Sequence, residues 1–380
     1  MGRHYLDHAS TSPLRPEARD AMAAELAAFG GDPGRVYEEG RAVRARIEVA
    51  RDQVAALLGV RPRQVVFTSS GTEAINAAVF GAARARPGGA IALASVEHSA
   101  VREASARAGP VIELPVDGDG RIEHGAIDRL LATPPDGGLA LVHCQWANHE
   151  VATVQPVHEV VAACREAGVP VHVDGCAAVG HVPVDLGSVG ADLASVSAHK
   201  LGGPPGVGAL VVGAGSRFAP LLVGGSQERA RRAGFENAPA IVGFGAVAEA
   251  LCEEGRLERE ADQARRHLDR LLEAALSVPG VRLLGDQRPE GRLPHLACLG
   301  IDGVEGEPVV IGLDRAGIAV HSGSACSSEA LEPSPVLAAM GADAERSVRV
   351  SVGWSTADED VAAFAAAFGP VVAGLRALAT

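Results

Sequence analysis

The feature that most constrains the fold is an alternation of short apolar runs with helical stretches over the first 212 residues. The runs are rich in Val, Ala and Leu, and several of them end in a polar residue. Buried strands that alternate with helices are typical of a mainly parallel sheet covered on both faces. The pattern therefore predicts the α/β class, with strands at about 65–68, 90–95, 139–143, 171–174, 193–197 and 209–212.

Helical spacing of apolar residues predicts helices at 16–28, at 37–58 and from 238 onward. A further charged amphipathic helix, at about 250–275, is predicted to lead into a second, α+β unit that covers about 255–380. A chain of 380 residues that is 47% apolar and 21% charged is ordinary for a globular enzyme of two domains.

Charge and composition argue against several classes of partner. A formal net charge of −13 makes nucleic acid or an anionic membrane an unsuitable main partner. Continuous strongly apolar segments stay below 18 residues, and the N-terminus lacks the apolar core of a signal peptide, so we expect a cytoplasmic protein. The six cysteines are scattered without CxxC spacing, which predicts neither a disulfide framework nor a metal site.

The first candidate site residues are a lysine and an aspartate that follow predicted strands. Lys200 stands between Ser197, His199 and a Gly/Pro-rich turn, a setting in which a lysine can form a Schiff base with an aldehyde. Asp174 ends the run 171–174. Pyridoxal phosphate needs such a pair, because an aspartate keeps its pyridine nitrogen protonated and a lysine carries its aldehyde carbon. Each residue alone is more often a surface lysine or a helix cap.

Three further stretches at predicted strand ends carry candidate cofactor contacts. After the strand at 65, Gly71 and Thr72 lie in a turn of small hydroxyl residues that favours a phosphate, although a simple N-cap by Ser70 or Thr72 explains it equally. His98 follows the strand at 90–95, at an edge where ligands bind in open α/β sheets. A polar cluster at 146–156 makes Asn148 and His149 candidates for contacting the cofactor ring.

The second domain carries two candidates. Cys326 lies among small polar residues at 321–328, unlike a core cysteine, and a thiol in such a setting can meet a substrate. Arg349 interrupts the alternating strand at 347–352. An arginine there is either paired structurally or positioned to grip a substrate carboxylate through both of its donor groups.

Taken together, these residues resemble the cysteine desulfurases, a family of class V, fold-type I pyridoxal-phosphate enzymes. The Ser-Gly-Ser-Ala-Cys motif at 322–326 is similar to the subgroup with a long cysteine loop. The resemblance implies a large domain at 15–254 with a mainly parallel seven-stranded sheet, and a smaller α+β domain at 1–14 and 255–380. The stretches that carry it are 5–9, 67–73, 97–98, 146–148, 172–174, 197–200, 202–209, 224–234, 322–326 and 348–349.

The resemblance also implies a role for each residue. The catalytic residues are Lys200, Cys326 and His98. Lys200 holds the cofactor as a Schiff base and then acts as the base, His98 stacks on the cofactor ring, and Cys326 is the nucleophile. The cofactor-binding set is Gly71, Thr72, His98, Asn148, His149, Asp174, Ser197, His199 and Lys200, of which Gly71, Thr72, Ser197 and His199 hold the phosphate. Arg349 and Asn148 bind the substrate, and Arg349 takes its carboxylate.

Three positions depart from the family pattern. An amide that usually donates to the cofactor's phenolic oxygen is His149 here, a glutamine that also serves this oxygen is Ala177, and a threonine that reaches the partner subunit's phosphate is Phe235. We expect His149 to take over the hydrogen bond to the phenolic oxygen. The departures also allow a catalytically weakened paralogue that acts as a sulfur-transfer partner.

The predicted activity is conversion of L-cysteine to L-alanine, with the sulfur transferred to Cys326 as a persulfide. The expected partners are a second copy of the chain and a sulfur-acceptor protein. A C–S β-lyase or an aminotransferase on the same fold is the alternative, because one scaffold hosts many chemistries.

Overall fold

The computed structural model describes residues 2–28, 30–322 and 333–379, so the predicted nucleophile Cys326 lies outside the described residues. The strands in chain order are β1 His4–Tyr5, β2 Val65–Thr68, β3 Ala90–Ala94, β4 Val111–Leu114, β5 Leu139–Gln145, β6 Val171–Asp174, β7 Leu193–Ser197, β8 Gly208–Val212, β9 Val281–Leu284, β10 Leu296–Ile301, β11 Ile318–Ala319, β12 His321–Ser322 and β13 Ser347–Ser351.

The helices predicted at 16–28, at 37–58 and from 238 onward are confirmed, with bounds close to those positions. In chain order the helices are α1 Pro16–Ala27, α2 Glu38–Leu57, α3 Gly71–Ala85, α4 Ser99–Ala108, α5 Ala126–Ala132, α6 Val157–Glu166, α7 Leu186–Val189, α8 Gln227–Ala230, α9 Ala238–Leu251, α10 Arg256–Leu276, α11 Gly306–Arg315, α12 Pro335–Ala339 and α13 Asp358–Ala379. The helix predicted at 250–275 starts later, at Arg256, because Gly255 has a left-handed backbone (φ +66°) that breaks it from α9.

The large sheet has seven strands in the order β2-β8-β7-β6-β5-β3-β4, which confirms the mainly parallel α/β architecture. Strands β5, β6 and β7 are buried along their whole length, with one apolar cluster on each face of the sheet. β8 is the exception to the parallel pattern, since it runs antiparallel to both β7 and β2. The connection from β7 to β8 is limited to residues 198–207, which form a 3₁₀ turn and a Gly/Pro-rich loop, and a parallel crossover needs a dozen residues or more.

A second, four-stranded sheet lies in the C-terminal part of the chain, in the antiparallel order β12-β13-β10-β9. Its core contains Leu299, Leu268 and Phe364, all of which are buried, together with Leu6 from the N-terminal segment. β1 pairs with β11, which ties that N-terminal segment to the C-terminal unit. The domain boundaries at 14/15 and 254/255 stay a prediction.

Helix α13 carries a long apolar stretch. Among the described residues, Asp358–Leu378 is the one segment long and apolar enough to cross a membrane by length and composition. Phe364 and Phe368 on this helix are fully buried against the four-stranded sheet. The apolar face of α13 is therefore used in the core of the C-terminal unit.

Candidate active site

A cavity of about 270 Å³ lies at the carboxyl ends of β5, β6 and β7. Parallel strands present their carboxyl ends at one edge of the sheet, which is where open α/β sheets bind ligands. Eight of the predicted site residues line this cavity: Gly71, Thr72, His98, His149, Asp174, Ser197, His199 and Lys200.

Asp174 is the last residue of β6 and is 8% exposed. Its Oδ1 accepts hydrogen bonds from the backbone N–H of Cys176 at 3.0 Å and from the Ser195 hydroxyl at 2.9 Å. Burial acts to raise the pKa of Asp174, but the charge interaction with His172 and the bond from Cys176 outweigh it, so the pKa lies below its ordinary value. Asp174 is therefore a carboxylate at neutral pH, as a partner of a protonated pyridine nitrogen must be.

Lys200 lies in a 3₁₀ turn, Ala198–Leu201, that follows β7 directly. Its Nζ donates to the backbone carbonyls of Ala9 at 2.5 Å and Ser10 at 3.0 Å. The His181 Nε2 lies 3.0 Å from the Lys200 carbonyl, which can only accept, so His181 carries its proton on Nε2. Lys200 is also the only lysine in the sequence, and a lysine Schiff base in this chain has no other position.

The turn between β2 and α3 forms another part of the cavity wall. Ser70 caps α3, since its hydroxyl accepts a hydrogen bond from the Glu73 N–H at 3.1 Å. The N-cap that the sequence allowed at this turn is therefore formed by Ser70. A Cβ at Gly71 would lie 2.7 Å from the Cys176 sulfur and 3.0 Å from the Ser197 Cβ, so only glycine fits here. The same turn opens a helix of 15 residues toward the cavity, and a helix N-terminus favours a phosphate.

Two histidines on the cavity wall have defined surroundings. The His98 Nδ1 accepts from the Ala100 N–H at 3.0 Å, which places the proton of the neutral ring on Nε2. The His98 and His149 rings meet edge to face, with centroids 4.9 Å apart. Burial, followed by the charge of Lys200, lowers the pKa of His199 to about 4, so His199 is neutral near pH 7.

Two predicted ligand-binding residues do not line the cavity. The Asn148 side chain is fully buried: its oxygen accepts from the N–H groups of Glu150 (2.8 Å) and Val151 (2.9 Å), and its amide donates to the Val96 carbonyl at 3.0 Å. Because these backbone bonds use the amide to shape the turn, Asn148 positions the neighbouring His149. Its direct contact with cofactor or substrate stays a prediction.

Arg349 lies on β13, behind His149. Its guanidinium donates to the His149 carbonyl at 3.0 Å, to Asp7 at 3.1 Å and to the Ser10 hydroxyl at 2.7 Å. Its Nε is buried and has no partner among the described residues. The structural pairing that the sequence allowed is therefore present, and the carboxylate-binding role stays a prediction.

Several cavity residues were not assigned a role from the sequence. Gln145 and Cys176 follow the same rule as Asp174, since they lie at or just after strand ends, and this signal could have found them. His181 and His295 stack face to face at 3.6 Å on the cavity wall. His295 precedes β10 in the other sheet, and no local motif marks it.

The residues present fit pyridoxal phosphate. Its aldehyde, pyridine nitrogen and phosphate need an amine, a carboxylate and an array of N–H and hydroxyl donors. Lys200, Asp174 and the Gly71–Thr72 helix start provide these groups around one cavity.

Comparisons with known proteins agree with this fit. Residues 4–364 match the aminotransferase class-V family. The chain is 40% identical to a cysteine desulfurase of Cereibacter sphaeroides, over 100% of this chain and 98% of that protein. It is 39% identical to an IscS-like cysteine desulfurase of Mycobacterium tuberculosis, over 94% of this chain and 93% of the other.

Solved structures show the same fold. A NifS-like protein superposes with a TM-score of 0.89 at 29% identity, covering 98% of this chain and 100% of the other. The chain therefore belongs to the class-V aminotransferase family and, within it, to the cysteine desulfurases, which are pyridoxal-phosphate-dependent enzymes.

Proposed function

We propose that this chain releases L-alanine from L-cysteine and takes the sulfur onto Cys326 as a persulfide, for transfer to an acceptor protein. The observation that carries the proposal is that the described residues on both sides of the segment bearing Cys326 contact direct neighbours of the cavity residue His149. Ser322 is the second residue of β12, and the first residue of that strand, His321, pairs with Arg349 on β13. Ser334 donates to Glu150 at 2.5 Å, next to the cavity residue His149.

Chain length supports this role for Cys326. Cys326 is the fourth residue after Ser322, and an extended chain spans at most about 3.6 Å per residue, or roughly 14 Å. The Ser-Gly-Ser-Ala-Cys motif adds no bulky side chain between the anchor and the thiol.

Each chain residue then has one task. Arg349 holds the substrate carboxylate, and Lys200 accepts the proton from the substrate Cα. When bound, pyridoxal phosphate supplies an electron sink, which Asp174 sustains by keeping the pyridine nitrogen protonated. The Cys326 thiolate attacks the substrate sulfur, so that an S–S bond forms and the C–S bond breaks. The electron pair of the broken bond stays on the substrate side and is protonated, which yields alanine.

The test that separates this reaction from β-elimination is Cys326→Ser. If sulfur transfer requires the thiolate, the variant binds the cofactor and L-cysteine normally but alanine release falls by at least about 100-fold. In a β-lyase, by contrast, the variant keeps its turnover and releases pyruvate. Alanine, pyruvate and protein-bound persulfide are measured together, with Cys252→Ser, an exposed cysteine remote from the cavity, as the matched control. Wild-type alanine release by Cys326→Ser overturns the proposal.

The proposed assembly is a homodimer in the cytoplasm. Val223 and Phe235 are 81% and 68% exposed on one stretch of chain, which supports a partner surface there. The described cysteines, Cys144, Cys164, Cys176, Cys252 and Cys298, are all free thiols, as expected in a reducing compartment. Sedimentation of the cofactor-loaded protein, compared with Phe235→Glu, tests the dimer: the variant is expected to dissociate.

A further inference from the structure

We propose that His149 is the cavity histidine that becomes doubly protonated when pyridoxal phosphate binds, with the buried carboxylate of Glu150 as its counter-ion. Cofactor loading then takes up one proton from solvent, which forms one N–H bond at this ring. This protonation is separate from the reaction of the Lys200 amine with the cofactor aldehyde, which forms the Schiff base and releases water. The inference deepens the proposed function, on which it rests for the identity of the cofactor.

The side chains of His149 and Glu150 lie against each other. The His149 Nε2 lies 3.5 Å from the Glu150 Oε1, and the side chains are 13% and 2% exposed. The other Glu150 oxygen accepts from the Ser334 hydroxyl at 2.5 Å. A buried carboxylate is costly unless it is paired, and a hydroxyl donor alone does not neutralise it. Protonation of His149 supplies the missing positive charge.

The other charged groups around His149 do not take this role. The Glu97 carboxyl faces it from the β3–α4 junction, but burial and the nearby Asp174 raise the pKa of Glu97 to about 8, so it is largely neutral near pH 7. Arg349 on β13 donates to the His149 carbonyl, and its charge is met by Asp7 at 3.1 Å. Among the described residues, Glu150 thus provides the carboxylate oxygen that lies within 4.0 Å of the His149 ring.

The remaining cavity histidines have no such partner. No carboxylate oxygen lies within 4.0 Å of His8, His181, His199 or His295 in the described part of the chain. Burial is the first cause that lowers the pKa of His8, His181 and His199, each to about 4. The His98 Nδ1 is occupied by the Ala100 N–H, and a second proton on that ring would break the bond.

The chemistry of the ligand selects the same residue. Pyridoxal phosphate brings a phosphate and an acidic ring hydroxyl into a cavity wall that already contains the carboxylate of Asp174. A neutral imidazole donates from one nitrogen and accepts at the other, whereas an imidazolium donates at both. The amide that is expected at this position in the family cannot take up a proton near pH 7.

The direct test is nuclear magnetic resonance of protein labelled with ¹⁵N-histidine, recorded empty and loaded with pyridoxal phosphate near pH 7. The ring signals that disappear in His149→Asn identify the residue. We expect both of its nitrogens to be protonated in the loaded protein, and a neutral ring in loaded Glu150→Gln, which keeps the volume and the bond from Ser334. A neutral His149 ring in the loaded wild type overturns the proposal.

An independent test counts protons by calorimetry of cofactor binding in buffers that differ in ionisation enthalpy. Relative to wild type, His149→Asn is expected to take up about one proton fewer per protomer. The matched control His199→Asn, which removes a neutral cavity histidine, is expected to match wild type. Equal uptake by wild type and His149→Asn, or loss only in His199→Asn, contradicts the inference.

Neither measurement uses L-cysteine. A loaded protein that shows the imidazolium but gives no persulfide refutes the proposed function alone. Normal alanine release with a neutral His149 refutes this inference alone.

Discussion

Two buried arginines show how differently this chain treats charge in its scaffold and at its cavity. Arg51 on α2 is 1% exposed, and its guanidinium donates to Glu228 through two bonds of 2.7 Å, to the Val65 carbonyl at 3.0 Å and to Glu48 at 3.2 Å. Arg349 is 4% exposed, but its Nε has no partner among the described residues. All three guanidinium nitrogens of Arg51 donate hydrogen bonds, whereas the Nε of Arg349 donates none among the described residues.

The two arrangements serve different ends. The short element α8 is a turn and not a regular α-helix, because Glu228, Arg229 and Ala230 have left-handed backbones with φ of 47°, 57° and 59°, which non-glycine residues rarely adopt. The Arg51–Glu228 pair holds this strained turn against the large sheet. A buried donor without a partner costs free energy, and a bound ligand is one explanation for such a donor. We therefore expect substitutions at the cavity to remove function while the fold is kept, and substitutions at Arg51–Glu228 to do the reverse.

The largest effect is expected at Lys200. Lys200→Ala removes the only lysine, so the visible Schiff-base absorbance and the alanine release are both abolished, while the urea midpoint stays near that of wild type. Reductive trapping of the cofactor followed by peptide mapping checks the position, because Lys200 is the sole lysine target. If the variant retains the absorbance, Lys200 is not the Schiff-base lysine. If the variant unfolds, Lys200 stabilises the fold as the Arg51–Glu228 pair does, and the contrast between cavity and scaffold fails.

Glu228→Gln tests the scaffold side. It leaves the Arg51 guanidinium buried without its counter-ion, and removal of one partner of a buried pair costs about 3–5 kcal/mol of unfolding free energy. Urea unfolding gives the value, and turnover measured where the variant is fully folded should match wild type. The double variant Arg51→Met with Glu228→Gln should recover part of the loss, because no uncompensated charge remains.

Arg349→Lys tests the arginine next to the cavity, which is about as deeply buried as Arg51. Lysine keeps the positive charge near Asp7 but lacks the planar fork that grips a carboxylate through two bonds. A lost hydrogen bond between charged groups is worth about 1.5–3 kcal/mol, so KM for L-cysteine should rise about 10- to 100-fold. An unchanged KM together with a lowered urea midpoint would place Arg349 with Arg51, as a scaffold residue.

The smallest effect is expected on how the free energy of unfolding depends on pH. The pKa of His181 is lowered to about 4, chiefly by burial, whereas an unfolded histidine titrates near pH 6.5. Between these values the unfolded chain binds more protons, so the stability that is present above about pH 6.5 is lost as the pH falls toward 4. His181→Asn should reduce the slope of unfolding free energy against pH by about 1 kcal/mol per unit. An unchanged slope would show that His181 is protonated in the folded protein.

Most of the large sheet could be predicted from local pattern. Strands buried on both faces read as continuous apolar runs, and the polar residue that ends such a run lies at the ligand-binding edge. Asp174 and Lys200 were found in this way. The reversed direction of β8 could also have been read from the short Gly/Pro-rich connection after Lys200, but the apolar run alone carries no direction.

The sequence by itself determined the α/β architecture, the position of the single lysine and the family, because these depend on periodicity and on motifs of neighbouring residues. Only the tertiary structure decided that His295 stacks on His181, that Arg349 pairs with Asp7 and that Asn148 turns to the backbone instead of the cavity. Each of these contacts joins residues from separate elements, and no local pattern encodes a pairing that forms only when two sheets and the N-terminal segment meet.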